Sequence, residues 1–259
     1  MFKSKMLAVV FAVSSLLMLG ACSPAETPAA PAAPAAPTAP AAQPQANVAP
    51  APAPQEAGQF VQGKHYFTVS DKSATATPQI TEFFSFYCHN CYNMETQYLP
   101  FIKAHIDPSI EFKTAHVDFM RSEIGYEVIR SLAVMQQMGI TSELMPTMFA
   151  TIQADDDGGH HHGHDHGDNA DALDIKVNSR DDIKAIFAAK GYDVTQYDSM
   201  ADSDQTNATM KKWAEQEKAF GIRSVPGFVV NEKYAINMSE IRSLEEFAAL
   251  INFLALHKS

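Results

Sequence analysis

Hydrophobic spacing changes period several times along the chain, and each change marks an element. Residues 78–86, "PQITEFFSF", form a short apolar run rich in Phe and bounded by Pro78, which predicts a central strand. From Cys88 to about His105 the period lengthens. Met94, Tyr98 and Ile102 recur at helical spacing, and Pro100 inside that run predicts a kink or an early stop. "IEFKTAHV" (110–117) alternates and predicts a second strand, so strand, helix and strand make a βαβ unit. The pattern then stays helical for most of roughly a hundred residues. Ile124, Val128, Leu132 and Met135 share one stripe. Ser179 with Asp182 gives a capping-box-like start to "DDIKAIFAAKG", which Gly191 closes. Met210, Trp213, Glu217 and Phe220 share the face of another helix. Residues 221–236, "GIRSVPGFVVNEKYAI", predict a turn, a strand and a hairpin. The last helix opens on a capping box, Ser243 with Glu246, and turns Leu244, Phe247, Leu250, Ile251 and Leu254 inward.

A βαβ half and a ββα half split by a helical insertion is the layout of an α/β thioredoxin fold with an inserted helical domain. The expected division is a discontinuous thioredoxin-fold domain, 59–120 and 214–259, around a helical insertion, 121–213. Upstream the pattern is different. Lys3 and Lys5 form a basic start, and "MLAVVFAVSSLLML" is apolar yet short for a bilayer span, so residues 1–21 read as an export signal. Leu19-Gly20-Ala21-Cys22 resembles the lipobox of bacterial lipoproteins, in which the cysteine is lipidated and becomes the mature N-terminus. The other reading is an ordinary cleavable signal with an incidental cysteine. Ser23 after that cysteine, where aspartate is absent, favours the outer over the inner membrane by the same resemblance. Residues 22–58 are rich in Ala and Pro and have almost nothing to bury. They read as an extended tether, reaching roughly 100 Å at about 3.1 Å per residue.

The formal charge is -11, and loss of Lys3 and Lys5 with the signal would take it to -13. No basic stripe remains, which argues against a nucleic-acid partner. The three cysteines then separate by role. With Cys22 assigned to the lipobox, Cys88 and Cys91 are left as a CxxC pair, "CHNC". A bridge across two residues removes little chain entropy. A structural zinc site would want a second pair of ligands at finger-like spacing, and none is visible. The pair reads as a redox centre. A cysteine at the start of a helix has backbone N–H groups and the positive end of the dipole aimed at its sulfur, so Cys88 is the candidate low-pKa thiol. Glu82 stands among Ile80, Phe83, Phe84 and Phe86, where burial should raise its pKa. The bland alternative is a carboxylate at a strand end, solvated by a gap.

These segments together resemble the DsbA-type bacterial periplasmic thiol:disulfide oxidoreductases. The resemblance covers roughly residues 59–259, from "GKHYFTV" through "EFFSFYCxxC", "HVDFM" and "GIRSVPGFVVNEKY". It implies a dithiol oxidase that passes its Cys88–Cys91 disulfide to reduced exported proteins and is re-oxidised by a DsbB-like, quinone-linked inner-membrane partner. No cofactor is implied. It also implies that Pro226 is cis beside the CxxC, with the Val225 backbone pairing with extended substrate; an ordinary trans proline at a strand edge is the alternative. Glu82 would exchange protons with Cys91. The family's lysine on the next strand is Thr114 here, and Lys113 is one position off, on the other face, so the partner of Glu82 is open. The family usually has Pro-His between the cysteines. His89 and Asn90 in their place imply a less depressed Cys88 pKa and a weaker oxidant. Isomerases resembling this family carry an N-terminal dimerisation domain where this chain has its tether, which favours a monomeric oxidase over a reductase or isomerase.

One tract is unusual locally. The loop 154–171, "ADDDGGHHHGHDHGDNAD", gathers His160, His161, His162, His164 and His166 with Asp165 and Asp168. Imidazole and carboxylate suit Zn, Ni or Cu, though no fixed spacing pins a geometry. The loop reads as a chelating tract or as a solvated insertion, and a metal-binding protein is the third functional class left open.

Overall fold

Five strands hydrogen-bond into one mixed sheet in the order β1-β5-β4-β2-β3. They are β1 (Tyr66–Thr68), β2 (Gln79–Phe84), β3 (Glu111–His116), β4 (Gly227–Val230) and β5 (Tyr234–Ile236). Only β2 and β3 run parallel; the other pairs are antiparallel. The computed structural model describes residues 59–156 and 171–257. The signal, Cys22, the tether and the five histidines from His160 to His166 lie outside these residues.

The sheet is buried on both faces, and alternation along the strands assigns the two cores. Ile80, Phe228 and Val230 pack with Leu99, Ile102, Phe247, Leu250 and Leu254 on one side. Phe83 and Val229 face the other side, with Val128, Leu132, Phe149, Phe187 and Trp213. The first side is closed by α2 (Leu99–His105) and α8 (Leu244–Leu256). The second is closed by α3 (Glu123–Met138), α4 (Thr141–Asp156), α5 (Arg180–Ala189), α6 (Tyr197–Ala201) and α7 (Asp204–Phe220). All six residues of β2 are buried, Glu82 among them.

The predicted caps are present. Ser179 accepts from the Asp182 N–H and Ser243 from the Glu246 N–H, while Gly191 takes a left-handed φ of 85° past α5. A hairpin turn at Asn231 and Glu232, both at φ 53°, joins β4 to β5. Buried Asn231 accepts from the Gln79 N–H at 2.9 Å and donates to Ala255 O at 3.0 Å, tying the turn to β2 and α8.

Three expectations are corrected. The break expected from Pro100 takes the form of a π turn over Met94–Tyr98, between α1 (His89–Asn93) and α2, and it is the Met94, Tyr98, Ile102 stripe that is corrected. Pro100 has no N–H to give, and in a regular helix its ring would crowd the carbonyl of Thr96. The extra residue of the π turn, closed by Leu99 N–H to Met94 O, absorbs this. The inward stripe is therefore Met94, Leu99, Ile102, and Tyr98 is exposed. Second, α4 runs to Asp156, so residues 154–156, which composition placed in the His-rich loop, are helical. Third, α7 passes unbroken through 213–214, because Met210, Trp213 and Phe220 lie on one continuous face, so that boundary falls inside a helix.

Candidate active site

The site is built where β2 ends and α1 starts. Cys88 is the N-cap of α1, with extended backbone (φ -99°, ψ 112°), and its sulfur accepts the Cys91 N–H at 3.3 Å. Its thiol also lies 3.5 Å from Val225 O, to which it can donate. The Val225–Pro226 peptide is cis and brings that carbonyl beside the cysteine. Both cysteines are free thiols; Cys88 is half-buried and Cys91 fully buried. Their proton affinities diverge. The Cys91 thiol hydrogen-bonds to the Cys88 sulfur, and the N–H groups of Cys91 and Asn90 add to it against a burial penalty, holding Cys88 at about 6. The same sulfur–sulfur bond and burial push Cys91 far up, so Cys91 keeps its proton. His89 and Asn90 occupy the exposed first turn.

Beneath the pair lies a buried carboxylate. Glu82 is 1 % exposed, its Oε2 has no hydrogen-bond partner, and burial, reinforced by Glu95 and Cys88, raises its pKa to about 8. Glu95, on the π turn, is likewise raised by burial. Lys103 of α2 lowers both, standing 3.9 Å from Glu95. The cation acting on Glu82 thus comes from α2. Thr114 is register partner to Glu82 but takes a hydrogen bond from Gln136, and Lys113 bonds Gln79 and Glu111 instead. Glu95 and Lys103 also line a cavity of about 490 Å³ beside β3.

Two further residues hold the loop between β2 and α1. Phe86 N–H donates to His116 Nε2 at 3.0 Å, and burial keeps that imidazole neutral, with a pKa pushed down to about 3. Gln153 of α4 donates to Phe86 O at 3.0 Å and to Cys88 O at 3.2 Å.

The structure therefore brings Cys88, Cys91, Glu82, Val225 and Pro226 to one place. Among the described residues no group of three or more His, Cys, Asp or Glu is arranged to hold a metal. Glu95, Lys103 and Gln153 were not singled out in the sequence. Glu95 stands four residues after Cys91, a helical spacing that could have flagged it. Gln153 leaves no such trace, since its contact spans 65 residues.

An N-capping thiol with low proton affinity, next to a buried thiol with high affinity, defines a thiol:disulfide oxidoreductase on a thioredoxin fold. Residues 73–252 match the family model described as thioredoxin. The thiol:disulfide interchange protein DsbA of Buchnera aphidicola is 30% identical over 207 residues, covering 76% of this chain and 87% of its own. DsbA of Dickeya dadantii is 30% identical over 213 residues, covering 78% and 91%. The crystal structure of the disulfide oxidoreductase DsbA from Proteus mirabilis superposes with a TM-score of 0.60 at 26% identity, over 76% of this chain and 97% of that one. The chain belongs to the DsbA family of thiol:disulfide interchange proteins.

Proposed function

We propose that the protein is a periplasmic dithiol oxidase that introduces disulfides into exported proteins. The observation carrying this is the divergence of the two thiols, about 6 for Cys88 against a strongly raised Cys91. Stabilising one thiolate stabilises the reduced pair, which makes the disulfide eager to be reduced. A substrate thiolate attacks Cys88 Sγ; the Cys88–Cys91 bond breaks and Cys91 leaves, taking a proton from Glu82. A second substrate thiolate attacks the substrate sulfur of the mixed disulfide, and Cys88 leaves as thiolate. Two electrons pass to the protein, the substrate gains one disulfide, and a DsbB-like, quinone-linked partner removes the electrons. Val225 O and its neighbouring backbone would pair with the extended substrate, and His89 and Asn90 would tune Cys88. The oxidised protein should re-form native ribonuclease from the reduced chain much faster than it rescues the scrambled one. Equal or inverted rates would make it an isomerase.

Domain division, anchoring and the His-rich tract belong to the same proposal. The thioredoxin-fold domain is 59–120 with the chain that follows α7, the helical domain runs from 121 through α7, and the enzyme works as a monomer. Cys22 carries the lipid, by resemblance of Leu19–Cys22 to a lipobox, and the anchor lies in the outer membrane. His160, His161, His162, His164 and His166 supply imidazoles for Zn, Ni or Cu. Mass spectrometry of the mature protein tests both points. A lipid mass on Cys22 and a zinc adduct that disappears on deleting 160–166 are expected. An unmodified Cys22 overturns the first point, and an adduct indifferent to the deletion overturns the second.

A further inference from the structure

We infer that Gln153 is a positioning residue for the reactive cysteine, acting through the backbone carbonyls on either side of Tyr87. Its amide nitrogen spends both hydrogens there, one on Phe86 O at 3.0 Å and one on Cys88 O at 3.2 Å. The need to satisfy a lone carbonyl does not account for the second bond. Cys88 O already accepts the Cys91 N–H at 3.0 Å and the Tyr92 N–H at 3.1 Å, one for each lone pair. The third donor draws on an oxygen whose dipole sits within the same residue as the thiolate. A donor there offsets the negative end of that carbonyl and favours negative charge on the sulfur.

The helix delivering the amide is fixed by packing. Phe149 lies four residues before Gln153 on the same face of α4. Its ring packs at 4.8 Å from Phe86 and 6.0 Å from Tyr92. Apolar anchor and polar clamp therefore meet the same loop from the helical insertion. The loop is held from its other sides by His116 on Phe86 N–H, Ser85 Oγ on Tyr87 N–H and Ser85 O on Cys88 N–H. With the N–H groups of Phe86, Tyr87 and Cys88 and the carbonyls of Phe86 and Cys88 all tied, the N-cap geometry of Cys88 is set partly from α4.

The inference rests on Cys88 being the reactive sulfur, and its readout, the titration of Cys88, is separate from turnover. Gln153→Met keeps length and apolar contact but has no donor. It should raise the Cys88 pKa by about half a unit to one unit, read from thiolate absorbance against pH. It should also shift the glutathione equilibrium about threefold to tenfold toward the oxidised protein. Gln153→Lys, which restores a donor, should return both values to wild type or beyond. A Gln153→Met variant that loses thermal stability while both values stay put would make the residue merely structural and overturn the inference. Should that variant fail to fold, Gln153→Glu decides the matter: its carboxylate faces the same two carbonyls without a proton to give. An unshifted Cys88 there overturns the inference equally.

Discussion

Cys88→Ser should reduce dithiol oxidation to the uncatalysed rate, since a hydroxyl can form no disulfide with the substrate. Cys91→Ala should be informative in a different way. It removes the first cause of the low Cys88 pKa, the hydrogen bond from the Cys91 thiol, and leaves the N–H donors of Cys91 and Asn90. Charge-assisted bonds of this kind are roughly twice as strong as neutral ones. The Cys88 pKa should therefore climb from about 6 by a unit or more, on the order of magnitude such bonds allow. At pH 7 a thiol titrating near 6 is about nine-tenths thiolate, against about a hundredth for one near 9.0. In the intact pair, returning Cys88 to the reference value would stabilise the reduced form roughly tenfold less, or about 30 mV for the two-electron Cys88–Cys91 couple, a couple that Cys91→Ala no longer has. Lacking its resolving thiol, Cys91→Ala should also attack a single-cysteine peptide supplied as its mixed disulfide with thionitrobenzoate, release thionitrobenzoate, and hold the peptide as a persistent Cys88 mixed disulfide. The same titration on a His89→Pro, Asn90→His exchange reads the part played by the intervening pair, and a lowered Cys88 pKa is expected. Oxidase activity surviving Cys88→Ser, or a mixed disulfide forming on Cys91, would overturn the assignment of roles.

The residues that carry this chemistry differ in how legible they were. The CxxC pair could be read because its evidence is local: two thiols, a helix start and a compartment inferred from the leader. The order of strands and helices was equally readable, because apolar periods of 2 and 3.6 survive wherever one face is buried. Tyr98 shows where that logic stops. Its place on a regular stripe assumed 3.6 residues per turn, and one proline changed the count by a residue. Glu82 could be found by its apolar neighbours, but its cation could not. Lys113 and Lys103 look equivalent in a list of charges, and only the packing of α2 brings Lys103 to the carboxylates. Gln153 was invisible for a similar reason. A glutamine near the end of a helix is ordinary, and its value comes from a chain fold that puts Phe86 and Cys88 beneath it.

Glu82→Gln should stabilise the protein at alkaline pH, which is the opposite of what removing a charged partner does. In the unfolded chain Glu82 loses its proton near 4.5, and in the folded one only at about 8. Below the lower value both states are protonated and the folded state bears no penalty. As pH rises between them, the unfolded chain releases a proton that the folded chain retains, so stability falls. Above about 8 the folded state carries the whole burden of a buried charge, on the order of 5 kcal/mol. Glutamine has nearly the same shape and no titration, so the gap between variant and wild type should open from near zero at pH 4 to several kcal/mol at pH 8.5. Taking the difference between the two proteins removes much of what the neighbours contribute. Cys88, lowered to about 6, adds stability that is lost as pH falls through that value. His116, lowered to about 3, behaves likewise further into acid. Denaturant titrations across this range measure the gap, and a gap independent of pH would mean that water reaches the carboxylate. Repeating them on the disulfide form adds a second comparison. The Cys88 thiolate is one of the charges raising Glu82, and in the disulfide it is gone, so the gap should open less. A carboxylate so costly to bury is accounted for if, as proposed, it serves the neighbouring Cys91 thiol, which gains and loses a proton in every cycle.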